Sequence, residues 1–586
     1  MANAPSPSPT SSFSFDLTRP TETSSSSRFG PRLGKARLVR TDGSPDLTIE
    51  TPGLLTTTSR GIVPHLSRDH HRRTAAIRWV GLPFETFLEQ VPPVPTLQGG
   101  PHPLHTFLGY PPARNTLVLS LRDPACAKQL PPNGKDHISA LSLRGVRKVS
   151  KDEWRGYVAA CNPDLVPRAL HRMARRPPPP IPPTQSQSQS DTTTTDTTAA
   201  THPLNVLVHM AGGASIPART AFAESLTEPL YGPDAALVQP LATLDQGVAG
   251  YTFDLVPLRN ALGSAAPLGL ASAPDTPDTA ALAPLLRASL APLPATKLRL
   301  ANSPASPHEI LRLVRDVGVD VFDAAWAQGA ADIGVALDFV FPVPVPVPDA
   351  GSGLPDTEGG KIDLGHNLYD DRYASDFSRL ADSLRAGNTN AQSTPTSTFI
   401  STSLSGSDSP AICPCAACSP LPPTAHIAHS NLDALSFPPK TNADADADAA
   451  LPRQSCLPPF SRAYIHHLLH THEMSAHALL VMHNLAVLDA FFAGVRAVLR
   501  SKPKSASSFG FAGEVERFVR RYEEGAGVFE RARGMWAGVD RARGKGRLGR
   551  ERAKNAPAVA ETLILGDLVP VGETTLPPDT IIDLEV

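Results

Sequence analysis

Apolar and polar positions along this chain follow two rhythms. Short apolar runs with strand character occur at residues 116–121, 204–209, 250–255, 297–300 and 319–324, and a further one at 335–341. Between them, segments 151–160, 214–226, 280–290 and 307–317 repeat their apolar residues at helical spacing. Ser306 followed by Pro307 suits a helix start, because proline lacks an N–H that would be unsatisfied there anyway. Alternation of this kind over roughly 250 residues predicts a parallel α/β sheet, with a (β/α)8 barrel the natural form at that length. The pattern alone also fits an open sheet. After residue 460 the rhythm changes. Residues 462–500 keep a helical spacing, through Ile465, Leu468, Leu469, Leu480, Leu485, Leu488, Phe491, Phe492 and Val495, which predicts one or two long helices with Ser461 as N-cap.

Composition explains why so long a chain need not hold several domains. It has 586 residues and 62 prolines, about twice ordinary proline usage. The prolines gather in Pro/Ser/Thr/Asp tracts at 1–27, 177–202, 342–360, 387–411 and 420–458. Such tracts bury too little apolar surface to offset the entropy of ordering, so they read as a tail, linkers and loop insertions. The first 28 residues lack the apolar stretch of a secretory signal. The most apolar segment, 476–499, is broken by His477, His483, Asn484, Asp489 and Arg496, as suits a buried helix rather than a membrane span. Six cysteines in this length are no disulfide scaffold, and the expectation is a soluble intracellular protein.

Net charge is −2, but that average hides a basic stretch. Residues 496–554 hold 16 Lys/Arg against 7 Asp/Glu, and 541–554 alone carries +6. Arg541, Arg543, Lys545 and Arg547 there are candidates for nucleic-acid phosphate contacts; a solvated helix face with a basic tail is the plainer alternative. Gly544–Gly549 spells G-x-G-x-x-G but follows no strand, so it is no dinucleotide site. The apolar and acidic tail 557–586 suggests no function.

The densest chemistry is Cys413-Pro-Cys415-Ala-Ala-Cys418. Three thiols this close in a reducing compartment point to a structural metal, since zinc prefers sulfur and nitrogen donors and offsets the repulsion of gathered thiolates. A fourth ligand is needed, and spacing leaves Cys456, His466, His467, His470, His472, His477 and His483 all open. His472-Glu-Met-Ser-Ala-His477 is one residue too long for H-E-x-x-H; five residues apart on a helix, its histidines face different ways.

The order C-x-C-x-x-C, then Arg462-Ala-Tyr-Ile-His-His-Leu-Leu469, Glu473-Met474 and Met482-His483-Asn484, resembles the zinc region of the tRNA-guanine transglycosylase family. The resemblance implies that His483 completes a Cys3His site for one Zn2+ per chain, despite 65 positions between Cys418 and His483. A loop insertion accounts for that distance at small cost, because closure entropy grows only logarithmically with length. Upstream, Gly34, Thr51-Pro52-Gly53, Leu104–Gly109, His209–Gly213 and Asp320–Asp323 resemble other segments of the family. They imply a TIM (β/α)8 barrel at 28–411, a zinc-binding helical subdomain at 412–500, and a basic C-terminal segment at 501–586.

In that family one Asp attacks the ribose C1′ of tRNA, a second handles protons, and the extruded base is read by a pocket. Asp323 falls on the nucleophile position. Around it the likeness fails. Val118–Pro124 stands where the family has D-S-G-G, Gly247–Thr252 replaces its Gly-Gly-Leu loop, and Ala324–Gln328 replaces L-P-T-R. The Asp expected after the strand Asn162–Val166 is also replaced, the chain running on through Pro167 and Arg168. The implied role is therefore a non-catalytic accessory member with Asp323 vestigial. Its partner would be a catalytic paralogue that exchanges guanine for queuine at the wobble position of tRNAs with GUN anticodons. Alternatives are a self-sufficient homodimeric transglycosylase using Asp323 and a zinc-stabilised scaffold without tRNA. The expected location is cytoplasmic, either free or peripheral on the mitochondrial outer membrane.

Overall fold

Eight parallel strands close on themselves in chain order: β1 (Gly53–Thr57), β2 (Trp79–Pro83), β3 (Thr116–Ser120), β4 (Leu165–Arg168), β5 (Asn205–His209), β6 (Gly250–Asp254), β7 (Leu298–Asn302) and β8 (Val321–Asp323). β8 returns to β1 with Val321 opposite Gly53 and Asp323 opposite Leu55. This is a TIM barrel, and closure excludes the open sheet. The computed structural model describes residues 13–18, 29–40, 45–126, 131, 133–134, 136–168, 205–263, 278–344, 360–383, 413–420, 458–501, 510–524 and 527–544. The tracts 177–202, 387–411 and 421–457 and the tail 557–586 lie outside them.

Local signals act where the pattern placed them. Ser306 Oγ accepts from the Glu309 N–H at 3.3 Å, and Pro307 opens the helix Pro307–Asp316. Ser150 and Glu153 form a reciprocal capping box on Lys151–Cys161. The apolar run at 335–341 departs from expectation: only Val335–Leu337 is a strand, and it pairs antiparallel with Gly365–Asn367 outside the barrel. The pattern also passed over β2, whose five residues include Gly81 and Pro83.

The interior of the barrel is filled by Leu55, Trp79, Val118, Leu165, Leu207, Leu298, Leu300 and Val321. These share one apolar cluster with Phe13, Ala36, Leu38, Leu47 and Ile49 of a three-stranded antiparallel sheet, Phe13–Thr18, Leu33–Leu38 and Leu47–Thr51. The sheet thus stoppers the barrel, with the Phe13 ring edge-on to Trp79 at 6.4 Å. Phe13–Thr18 falls inside the stretch 1–27 read as a tail; its alternating residues F-S-F-D-L-T fit a half-buried edge strand.

Residues 462–500 divide into two helices, Arg462–His470 and Met474–Arg500. Between them His472 takes a left-handed φ of 59°, so it belongs to neither. The long helix lies on the outside of β1 and β8, where Phe492 stacks on Phe322 at 6.0 Å. A Cβ on Gly494 would sit 1.7 Å from the Phe341 carbonyl oxygen, so only glycine permits the approach. Met474–Arg500 is long and apolar enough to cross a membrane, but 67% of its most apolar window is buried. The next helix, Phe511–Arg521, buries Phe518 against Phe339, Phe341 and Phe491. The start of the segment 501–586 therefore packs into the barrel's outer layer. A separate unit begins at Ala537, and its described part is the end of the helix Gly527–Gly544.

Candidate metal centre and barrel mouth

The loop 413–419 curls so that its thiols face inward. The Cys418 N–H donates to Cys415 Sγ at 3.3 Å, the Ser419 N–H to the Cys415 carbonyl at 2.8 Å, and Ser419 Oγ to the Cys413 carbonyl at 2.9 Å. The Phe460 N–H donates to the Ala417 carbonyl, tying the loop to the entry of the helical pair. Cys413, Cys415 and Cys418 are buried, and their Sγ atoms lie 3.7, 3.6 and 3.5 Å from Nδ1 of the fully buried His483.

Those distances fit a metal. Tetrahedral zinc with ordinary Zn–S and Zn–N bonds holds sulfur and nitrogen about 3.5 Å apart. The imidazole is set for the same purpose: its Nε2–H donates to the Leu337 carbonyl at 2.9 Å, leaving the Nδ1 lone pair toward the sulfurs. Asn484 fixes the helix that carries it. Its Oδ1 accepts from the Leu337 N–H, and its Nδ2 donates to the carbonyls of Ala327 and Val335. Burial works against a charged Cys415, but hydrogen bonds from Cys413 and Cys418 outweigh it and hold its thiol well below the usual range. Contacts with Cys413 and Cys415 push the Cys418 thiol up, since neighbouring thiolates repel. Cys413, Cys415, Cys418 and His483 are positioned to bind a metal ion.

Among the rival histidines, His477 Nδ1 lies 3.1 Å from the Ala331 carbonyl, and His466 and His470 turn to a different place. Cys456 lies outside the described residues. Of the basic candidates, Arg541 is exposed with Nε donating to the Ala537 carbonyl at 3.1 Å. Arg543 is within the helix but its side chain is not described, and Lys545 and Arg547 lie outside the described residues.

The second candidate site is a cavity of about 340 Å³ at the C-terminal ends of the strands, the face where this fold carries its chemistry. Asp123, His209, Asp254, Asn302 and Asp323 line it, with Arg122. Asp323 is 1% exposed; its Oδ2 accepts from the Ser303 N–H at 2.7 Å and its Oδ1 from the Ala325 N–H at 3.2 Å. Burial pushes its carboxyl up to about 7, against those two bonds and with help from the charges of Asp123 and Asp254. Burial also raises Asp123, opposed by the Ala125 N–H. Asp254 is held on both sides, by His209 Nε2 at 2.5 Å and Asn302 Nδ2 at 2.8 Å.

Sequence reasoning missed Asp254. It set Gly247–Thr252 against the family's base-binding loop, yet that segment enters and forms the N-terminal part of β6, away from the cavity. The end that meets the cavity is Asp254, the last residue of the strand. The apolar run 250–255 already contained that signal, because residues at the C-terminal ends of barrel strands face the active end.

Residues 442–511 match the family model described as queuine tRNA-ribosyltransferase, a span that includes His483 and both helices of the pair. Over that span the chain resembles the queuine tRNA-ribosyltransferases. It is 26% identical to the queuine tRNA-ribosyltransferase accessory subunit 2 of Drosophila melanogaster over 326 residues, 54% of this chain and 69% of that protein. The same figures hold for the protein of that name in Drosophila sechellia. The Schizosaccharomyces pombe protein is 25% identical over 219 residues, 37% of this chain and 30% of its own length. The likeness supports an accessory role related to this family.

Proposed function

We propose that this chain is the non-catalytic accessory subunit of a queuine tRNA-ribosyltransferase. It pairs with a catalytic paralogue that exchanges guanine for queuine at the wobble position of tRNAs with GUN anticodons, and it works in the cytoplasm. The observation that carries the reading is the state of the barrel mouth. Exchange needs an ionised nucleophile, a separate proton carrier and room for a base against bare backbone. Here Asp323 is buried with a carboxyl near 7, and Asp254, bound to His209 and Asn302, occupies the strand end a base would approach. Cys413, Cys415, Cys418 and His483 hold one Zn2+, which supplies structural cross-linking when bound because four protein ligands leave no open position. The exposed Arg541, with Arg543, Lys545 and Arg547, contributes phosphate contacts without base specificity.

The test is base exchange with guanine-labelled tRNA. The purified chain alone should release no label, and adding the catalytic paralogue at equal amounts should produce exchange. Release by the chain alone, abolished by Asp323→Asn, would establish the self-sufficient reading instead. Metal analysis of the same preparation should give about one zinc per chain without added metal, falling below about 0.2 in Cys415→Ala and in His483→Ala. Full zinc in His483→Ala would move the fourth ligand elsewhere.

A further inference from the structure

His466 and His470 are four residues apart on Arg462–His470 and so share one face of the helix, with ring centroids 4.1 Å apart. His466 Nδ1 lies 3.0 Å from the Leu368 carbonyl, and His470 Nδ1 lies 3.0 Å from the His466 carbonyl. A carbonyl can only accept, so each Nδ1 carries the hydrogen and each Nε2 keeps a free lone pair. Metal-binding histidines are commonly prepared in this way. The Tyr369 ring stacks on His470 at 4.3 Å and restricts its swing. Asp371 opens the short turn Asp371–Tyr373, and its carboxylate completes a set of three ligand atoms, all within 4.8 Å of one another.

We propose that His466, His470 and Asp371 form a second metal site, specific for a borderline divalent ion such as Zn2+, Co2+ or Ni2+. Two imidazoles and one carboxylate suit those ions and not Ca2+ or Mg2+, which require oxygen ligands. Zinc bonds to such donors hold them about 3.3 Å apart, so movement of the exposed Asp371 and its turn toward the two held imidazoles closes the site. Three protein ligands leave at least one position open to water or an incoming ligand, unlike the closed Cys3His centre. Another gathering of donors, Asp338, His366 and Asp382, lacks this readiness. The Arg462 guanidinium already sits in it, 2.8 Å from both His366 Nε2 and Asp382.

The full-length chain, dialysed against buffered excess Zn2+, should take up about two ions. His470→Ala and Asp371→Asn should each return it to about one, and Asp371→Asn, which alters only an exposed carboxylate, should leave the melting temperature unchanged. Cobalt separates the sites by colour. The thiolate site gives an intense sulfur-to-metal charge-transfer band, whereas the second equivalent should add only weak d–d absorption, absent in His470→Ala. Saturation of the wild type at one ion would overturn the proposal, as would a second equivalent that survives both substitutions.

Discussion

Asp320, just before β8, and Asp323, its last residue, are both buried and both accept backbone N–H bonds, but only one of them meets an arginine. Asp320 receives Arg32 through both oxygens, Nε at 2.7 Å and Nη2 at 2.6 Å, and also the Arg299 N–H at 2.7 Å. Asp164, at the same end before β4, is bound by Arg40, His105 and the Leu117 N–H. Asp323 has two backbone N–H bonds and, among the described residues, no salt-bridge partner. Its charged neighbours Asp123 and Asp254 raise its carboxyl further. The N-terminal end is a set of satisfied ion pairs that anchors the fold; at the C-terminal end, beside the cavity, none of Asp123, Asp254 and Asp323 forms a salt bridge with an arginine among the described residues. That division is the one expected of a TIM barrel, with stability at one face and chemistry at the other. It persists here in a site proposed to have lost its reaction.

The largest effect should come from Arg32→Leu. It leaves Asp320 buried without its cation and should cost about 3–5 kcal/mol in urea unfolding. A loss under about 1 kcal/mol would mean that the pair anchors nothing. Asp164→Asn should follow, at roughly 2–4 kcal/mol at neutral pH. Burial alone would raise the Asp164 carboxyl, but His105 and Arg40 outweigh it and hold it below its ordinary 3.8. The native state therefore binds this proton less tightly than the unfolded chain. The wild-type advantage over Asp164→Asn should be complete above about pH 4 and shrink as pH falls through the lowered value.

Asp323→Asn should show the opposite slope. With a native value of about 7 against an ordinary 3.8, the folded state binds the proton more tightly. Wild-type stability relative to the variant should fall as pH rises from about 4 to about 7 and stay level above. Denaturant midpoints measured from pH 4 to pH 8 would reveal this. Parallel profiles for the two variants would break the contrast between the ends.

Much of this was readable before the fold was known. Five barrel strands, the Ser306–Pro307 helix start and the Ser461 cap rest on signals that act within a turn or two of chain. Three metal ligands lie within six residues, so their proximity is a local fact. The strand Phe13–Thr18 was hidden because six alternating residues inside a Ser/Pro-rich stretch carry little weight without the partner Leu33–Leu38. Asp254 was hidden for a different reason: nothing beside it in sequence announces that His209 and Asn302 will meet it.

By itself, then, the amino-acid order determined the rhythm of strands and helices, the thiol trio and the family resemblance that pointed to His483. Only the tertiary structure decided that the sheet closes, that His483 Nδ1 meets all three sulfurs, and that the buried carboxylates Asp320 and Asp164 at one end of the barrel meet arginines while Asp323 at the other meets only backbone and Ser303. Helix caps and closely spaced thiols involve neighbours in the chain, whose proximity covalent geometry guarantees. The Arg32–Asp320 pair spans 288 positions and the Cys418–His483 contact spans 65, and such meetings exist only once eight strands have taken a common register.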